Sequence, residues 1–220
     1  MFAGHKLRRA GGFDLDFVQT GSLKTSTSTA NPVVITLVDI GDPHPQRMVA
    51  VLINTGGSIG ESDVLTCTIG GVSTTVVHER SAAICYAKVP TGTTATVSFT
   101  WSGALDQTNL LAYRFNTRET TTLDAVTASV FGNHTIADVE CEDGGVVLWC
   151  TGYPGTTGTI TASWNGTDSL VYDTAHLGSG MSNRKGHVLP TETSTIRDLP
   201  VTTGGVGNLG TIVLSFAFST

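Results

Sequence analysis

The sequence predicts an all-β protein, a jelly-roll-like antiparallel β-sandwich of about twelve strands with an extended N-terminal arm. Threonine occurs 36 times, and its β-branched side chain favours strands. The 26 glycines supply turns between those strands. Charged residues are only 14% of the chain, below the ~25% that is typical. That low charge suits a threonine- and serine-covered surface, or equally a surface partly covered by partner subunits.

The N-terminal region differs from the rest, which predicts a docking arm and linker over residues 1–31 and a sandwich domain over residues 32–220. Phe13, Leu15 and Phe17 share one face of an alternating strand and need a surface to cover them. We therefore predict them as docking residues. The alternative is that this strand joins the edge of the chain's own sandwich. The serine- and threonine-rich run before Pro32 is typical of an extended linker.

Strand signals follow at intervals of roughly ten residues from Val33 onward. Arg47–Asn54 is mostly apolar, which predicts a central strand buried on both faces. Gly70-Gly71 predicts a two-residue hairpin turn. Ala95–Trp101 alternates between apolar and hydroxyl side chains. The other strands predicted in this half are Val33–Val38, Val64–Ile69, Val72–His78, Ala82–Val89 and Leu110–Phe115.

The second half repeats this style. Val146–Thr151 predicts another apolar central strand, and Asn165-Gly166 predicts a type I′ hairpin turn. The other predicted strands are Val126–Phe131, Thr135–Cys141, Gly158–Trp164, Ser169–Tyr172, a weaker His176–Met181, and Gly210–Phe218. Residues 90–103 and 154–166 also echo one another, which predicts corresponding strands of two packed sheets.

Charge argues against nucleic acid as a partner. Residues 1–24 carry four cations and two carboxylates, +4 − 2 = +2, so a net charge of −6 leaves −8 on the remainder. Recognition of a phosphate backbone needs clustered cations.

No apolar run reaches the roughly 18 residues of a membrane span, and residues 1–20 lack a signal-peptide core. We therefore expect neither membrane insertion nor secretion by that route.

No catalytic motif stands out, so the sequence predicts no enzyme and no cofactor. The six histidines are scattered, which does not indicate a metal site. Acidic residues cluster at 39–42, 61–63 and 140–143, where turns already favour aspartate; a calcium site in one of them is the alternative. The four cysteines form no CxxC pair. Buried free thiols are predicted, with a Cys67–Cys85 bridge between neighbouring strands as the alternative.

Four aromatic residues could stack on sugars. Trp101 and Trp164 share the phase of their strands' apolar residues, which favours packing in the core. Tyr153 and Tyr172 are therefore the candidates for contact with a glycan.

Four segments carry a family resemblance: Thr68–Val77, Val89–Phe99, Asp143–Leu148 and Ala162–Thr167. They resemble a β-sandwich module of tailed-bacteriophage virion proteins, notably of alphaproteobacterial phages, and the resemblance covers about residues 33–218. It implies a non-enzymatic structural protein of the virion: a head decoration, a head fibre or a tail-associated protein. It further implies homo-oligomers, binding to capsid or tail proteins through the arm, and contact with host-surface glycans. The alternative function is a carbohydrate-binding module or lectin.

Overall fold

The regular structure of the described residues consists of β-strands. The computed structural model describes residues 5–8, 14–56, 63–103, 105–116, 120–153, 160–165, 170–178, 181–191, 195–203 and 208–218. These ranges contain no helix, and hence none long and apolar enough to cross a membrane. Their strand pairs are antiparallel.

The strands fall into two halves along the chain. The first half holds β1 His5–Arg8, β2 Asp14–Ser26, β3 Val33–Asp39, β4 Arg47–Gly56, β5 Val64–Ile69, β6 Val72–Ser73, β7 Thr75–Glu79, β8 Ala82–Lys88, β9 Thr94–Trp101 and β10 Gln107–Asn116. The second half holds β11 Thr120–Phe131, β12 His134–Cys141, β13 Val146–Tyr153, β14 Ile160–Ala162, β15 Val171–Gly178, β16 Met181–Val188, β17 Thr195–Thr203 and β18 Asn208–Phe218.

Each half forms an inner and an outer sheet. The first inner sheet has the order β1-β2-β10-β4-β8-β7, and the first outer sheet has the order β3-β9-β5-β6. The second inner sheet has the order β11-β18-β13-β16-β15, and the second outer sheet has the order β12-β17-β14. Without the additional edge strands β1 and β6, the two halves have the same strand order, that of a jelly roll. The described chain is therefore two jelly-roll sandwiches in tandem.

Three apolar cores separate the four sheets. The first core lies between the first inner and outer sheets, and the second core lies between the second inner and outer sheets. A central core joins the two inner sheets to each other. The layers therefore run outer, inner, inner, outer, so both inner sheets are covered on both faces.

The inner strands have side chains that suit this double burial. In β4, Val49 and Val51 point into the first core, and Leu52 points into the central core. In β13, Trp149 points into the second core and Leu148 into the central core. An apolar run without alternation is what a strand covered on both faces requires.

The predicted all-β antiparallel class is confirmed, but the described residues form two sandwiches instead of the one predicted over residues 32–220. They contain eighteen strands instead of about twelve. The difference arises partly from short strands with little apolar pattern, such as β1, β6 and β14. The Gly70-Gly71 turn is confirmed: both glycines have positive φ, 59° and 81°, and Ile69 pairs with Val72.

The two segments that resemble each other in sequence, residues 90–103 and 154–166, contain strands that are not equivalent in the two sandwiches. The first echo segment contains β9, the second strand of its outer sheet, and the second contains β14, which ends the other outer sheet. In the shared strand order, β9 corresponds to β17 instead. The duplication therefore lies in the topology and not in the two segments that looked alike.

Part of the predicted arm and linker belongs to the first inner sheet. Strand β2 runs through Ser26 and pairs along β10 from Phe17↔Phe115 to Ser26↔Thr108. The serine- and threonine-rich run is thus a strand at least as far as Ser26, which corrects its assignment as a linker. Of the two alternatives left open, the structure shows the strand within the chain's own sheet for residues 14–26.

Candidate functional site

A buried arginine organises one end of the first sandwich. Arg47 begins β4 and is fully buried. Its guanidinium donates hydrogen bonds to five backbone carbonyl oxygens: Gly41 at 2.6 Å, Asp42 at 2.8 Å, Val89 at 2.7 Å, Thr91 at 2.6 Å and Gly92 at 2.9 Å. The side chain therefore ties the β3–β4 loop to the β8–β9 loop. Burial and, secondarily, nearby Arg114 lower the pKa of Arg47, while Asp42 opposes them.

An open groove of about 420 Å³ lies beside this arginine. Its lining is formed by Val18, Gln19, Thr20, Gly21, Asp39, Gly41, Asp42, Thr93 and Arg114. The Asp39 carboxylate accepts a hydrogen bond of 2.8 Å from the Gly41 amide, which orders the loop. The Thr20 hydroxyl is buried and has no hydrogen-bond partner among the described residues. Carboxylates, hydroxyls and a guanidinium together can bind a hydroxyl-rich ligand.

A second polar cluster lies at the junction of the two sandwiches. Lys185 on β16 is fully buried, and its ammonium donates to the side-chain oxygens of Asn54, Asn109 and Asn183. Asn54 and Asn109 belong to the first half of the chain, whereas Asn183 belongs to the second. Burial lowers the pKa of Lys185 to about 8, and nearby Cys150 opposes that shift.

Asn54 extends this cluster across the junction. Its amide nitrogen donates to the backbone oxygens of Ser81 and Thr151, both at 3.2 Å. Its side-chain oxygen also accepts a hydrogen bond of 3.4 Å from the Cys150 thiol. Burying polar groups costs free energy unless they are paired, so the bonds of Lys185 and Asn54 across the junction favour this alignment of the two sandwiches. The amide nitrogens of Asn109 and Asn183 are buried without a hydrogen-bond partner among the described residues.

The four cysteines are free and buried. Cys67 on β5 and Cys85 on β8 both lie in the first core. They belong to facing sheets, which corrects the expectation of neighbouring strands. The neighbouring Cys67 thiol and then burial raise the pKa of Cys85 well above its ordinary value. The Cys67 thiol itself donates to the Thr68 carbonyl oxygen at 3.9 Å.

Phe17 does not present a docking surface. It is 2% exposed, its ring stacks on Tyr113 at 5.7 Å between centroids, and it contacts His187 at 4.7 Å. The chain's own central core thus covers Phe17, which corrects its prediction as a docking residue. Leu15 lies on β2, but its side chain and the whole of Phe13 lie outside the described residues.

The strand pattern predicted buried tryptophans and two tyrosines available for sugar contact. Trp101 and Trp164 are buried in the first and second cores, which confirms their predicted packing. Tyr153 ends β13, half-buried against the second core. Tyr172 lies on β15, and its side chain is outside the described residues. Contact of either tyrosine with a glycan remains a prediction.

No group of three or more histidine, cysteine, aspartate or glutamate side chains that could hold a metal occurs in the described part of the chain. Of the three predicted acidic turns, residues 61 and 62 lie outside that part.

Sequence reasoning missed Arg47 and Lys185. Arg47 precedes an apolar run, where a cation ordinarily points into solvent. Lys185 lies in the polar sequence Ser182–His187, which carries no signal for a buried strand. The partners of Arg47 come from two loops of the first half, and those of Lys185 come from strands of both halves. Only the tertiary structure brings these partners together.

Comparison with known proteins gives a sparse result. No protein-family model matches the chain, and no curated protein matches it. Among solved structures, the chain is similar to the major capsid protein P2 from Bacteriophage PM2, at 12% sequence identity and a TM-score of 0.33. That alignment covers 94% of this chain and 98% of the capsid protein.

Proposed function

We propose that the chain is a non-enzymatic structural protein of a phage virion. The observation that carries the proposal is the pair of jelly-roll sandwiches with one shared strand order. Jelly rolls build viral capsid domains as well as lectins and cupins, and a fold by itself does not decide among them. The resemblance of residues 33–218 to tailed-phage virion modules favours the capsid or tail context.

The surface of the first outer sheet supports this role. Thr66, Thr94 and Thr96 are exposed on it, and the hydroxyls of Thr66 and Thr100 are hydrogen-bonded at 2.6 Å. Exposed apolar side chains lie on the same sheet beside these short hydroxyl side chains: Val34, Leu37, Leu65 and Val72. Copies repeated on a symmetric particle would combine weak contacts into strong attachment to a surface.

The direct test is to locate the chain in particles. Antiserum against the purified protein is applied to gradient-purified particles from cells that carry the gene, and gold labels are viewed by electron microscopy. Regular labelling of heads or tails, together with peptides of the chain in the same fraction, is expected. Particles that lack both the label and the peptides would refute the virion role.

A test of attachment through the N-terminus needs a shorter deletion than the whole predicted arm. Removing residues 1–24 would take away most of β2 and the buried Phe17, and so would damage the first inner sheet. A variant that begins at Phe13 keeps β2. It is expected to fold as wild type by circular dichroism and to lose binding to particles that lack the native protein. Unchanged binding would refute anchoring by residues 1–12.

The groove beside Arg47 favours glycan binding as a second candidate function. Its volume lies within the ~300–1,000 Å³ that is usual for ligand pockets, and the Thr20 hydroxyl in its lining has no described partner. We expect Asp42→Ala to reduce binding on a glycan array. Glu140→Ala, an exposed carboxylate of the second sandwich, is the matched control. Equal binding by both variants, or no binding by wild type, would exclude this site.

A further inference from the structure

The exposed apolar side chains of the described residues are concentrated on one sheet. Of the five large apolar side chains that are exposed there, four belong to strands of the first outer sheet: Val34, Leu37, Leu65 and Val72. Leu37 is the most exposed of them, at 70%. Single exposed apolar residues are ordinary on a soluble domain, whereas several on one sheet indicate a surface that contacts something else.

An extra residue in β3 turns Leu37 outward. Regular alternation buries Val33 and Ile35, and it would bury residue 37 as well. A β-bulge between Ile35 and Val38 shifts the register, so Val38 takes the buried position and Leu37 is exposed. Leu37 has a φ of 54°, a left-handed conformation that is unfavourable for a bulky side chain. Within the described structure, this leucine therefore has an unfavourable backbone conformation and no burial to offset it.

The second sandwich contains the same bulge with a polar residue in it. Strand β12 is the counterpart of β3 in the shared strand order, and its bulge lies between Ile136 and Val139. Asp138 has a φ of 58° there and occupies the fifth position of its strand, as Leu37 does in β3. Aspartate tolerates this conformation better than leucine does. The bulge itself does not require leucine, so folding does not account for Leu37.

The charge of the first outer sheet fits a second copy of the chain. Its described strands carry one charged side chain, Asp39 at the end of β3, whereas the strands of the second outer sheet carry four. Because the whole chain has a net charge of −6, two copies repel each other where charged faces meet. They repel each other least where both present an uncharged face.

The polar side chains of this sheet are complementary to those of an identical sheet. Val34 is directly opposite Ser98 on β9, and Ser98 is opposite Thr68 on β5. Hydroxyls therefore lie beside the exposed apolar side chains of β3. A hydroxyl both donates and accepts hydrogen bonds, so it can pair with its own counterpart. A two-fold interface needs this property, because the same patch meets itself.

The size of the sheet sets the strength of such a contact. Four strands about 4.8 Å apart, with up to about seven residues at ~3.3 Å each, span roughly 400 Å². A stable dimer buries about 800 Å² per partner. The contact is therefore weak in solution and becomes strong where other contacts already hold the copies side by side.

We propose that the exposed face of the first outer sheet is an interface between two copies of this chain, with Leu37 as its apolar anchor. Burial of Leu37 against the second copy would offset the cost of its left-handed conformation. The inference goes beyond the virion role and does not depend on it, since it concerns only how copies of the chain meet.

The test measures self-association and stability separately. The full chain is followed by sedimentation velocity from micromolar to millimolar concentration, where wild type should shift reversibly from monomer towards dimer. Leu37→Asn should raise the dissociation constant about tenfold or more, because both copies lose their anchor. In dilute solution the variant should melt at the same temperature as wild type or higher, because asparagine tolerates the left-handed conformation. A wild type that stays monomeric, an unchanged dissociation constant or a lower melting temperature in Leu37→Asn would each overturn the proposal.

Matched variants on the second sandwich serve as controls. Asp138→Asn introduces the same residue into the equivalent bulge and should leave the dissociation constant unchanged. Cross-linking then locates the contact: the four native cysteines are buried, so a bismaleimide should join copies of Val34→Cys into dimers. Thr135→Cys, at the equivalent exposed position of β12, should stay monomeric. Equal cross-linking of the two variants would place the contact elsewhere and refute an interface at the first outer sheet.

Discussion

The buried ammonium of Lys185 makes a quantitative prediction about how stability depends on pH. The pKa falls from 10.5 to about 8 on folding. Below pH 8 the amine is charged in both the folded and the unfolded state, so the folded protein bears the whole desolvation cost. Between about pH 8 and 10.5 the unfolded state binds more protons than the folded state. The free energy of unfolding contributed by this group therefore rises with pH.

The magnitude follows from the size of the shift. At about 1.4 kcal/mol per pKa unit, the full rise is about 3 kcal/mol, and about 1 kcal/mol of it should develop between pH 7 and 9. The thiols act in the opposite direction: the pKa values of Cys85 and Cys150 are raised by folding. Folded thiols therefore retain protons that unfolded ones lose above about pH 9. The measurement is best confined to the range below that pH.

The assay compares urea unfolding of wild type and Lys185→Met at half-unit steps from pH 7 to 9. The difference in free energy of unfolding between the two should grow by about 1 kcal/mol in favour of wild type. Lys88→Met, at an exposed lysine, is the control and should show no such slope. A flat difference across this range would refute the claim that the ammonium is desolvated at the junction.

Three further substitutions test the packing, each by urea unfolding at pH 7. Arg47→Met leaves five carbonyl oxygens of two loops without their donor. The free energy of unfolding should therefore fall by about 3 kcal/mol or more. A fall of less than about 1 kcal/mol would contradict the role of Arg47 in joining the two loops. Trp149→Ala should cost about 3–5 kcal/mol of stability, because the tryptophan side chain is fully buried. The control, Leu65→Ala, replaces a side chain that is 53% exposed and should change stability by less than about 0.5 kcal/mol. Equal effects of the two substitutions would argue against the second core. In Gly210→Ala the new Cβ would overlap the Glu79 carbonyl oxygen, so the substitution should cost about 2–3 kcal/mol. In the control, Gly71→Ala, the new Cβ meets nothing within 4 Å, and the positive φ alone should cost about 1 kcal/mol. A larger loss for Gly71→Ala than for Gly210→Ala would rule out close contact between the two sandwiches at Gly210.

The composition and strand pattern determined the fold class. Alternation in Ala95–Trp101 indicated a strand covered on one face, and its side chains alternate between the first core and the exterior as expected. The unbroken apolar runs of β4 and β13 indicated burial on both faces, and both strands lie in inner sheets. The Gly70-Gly71 turn was equally predictable, since few residues other than glycine tolerate positive φ at two successive positions.

Side-chain pattern alone could not determine how the sheets associate. An apolar strand shows that both of its faces are covered but does not show by what, so the central core between two jelly rolls was not foreseen. Phe17 illustrates the same ambiguity, since an apolar face can cover a partner or the chain's own core, and its contacts with Tyr113 and His187 decide for the core. Lys185 is the extreme case: its three asparagine partners come from strands up to 131 residues away. The sequence by itself determined that strands form and which of them are buried, because those properties depend on local side-chain chemistry. Only the tertiary structure decided which faces meet, because that depends on contacts between residues far apart in the chain.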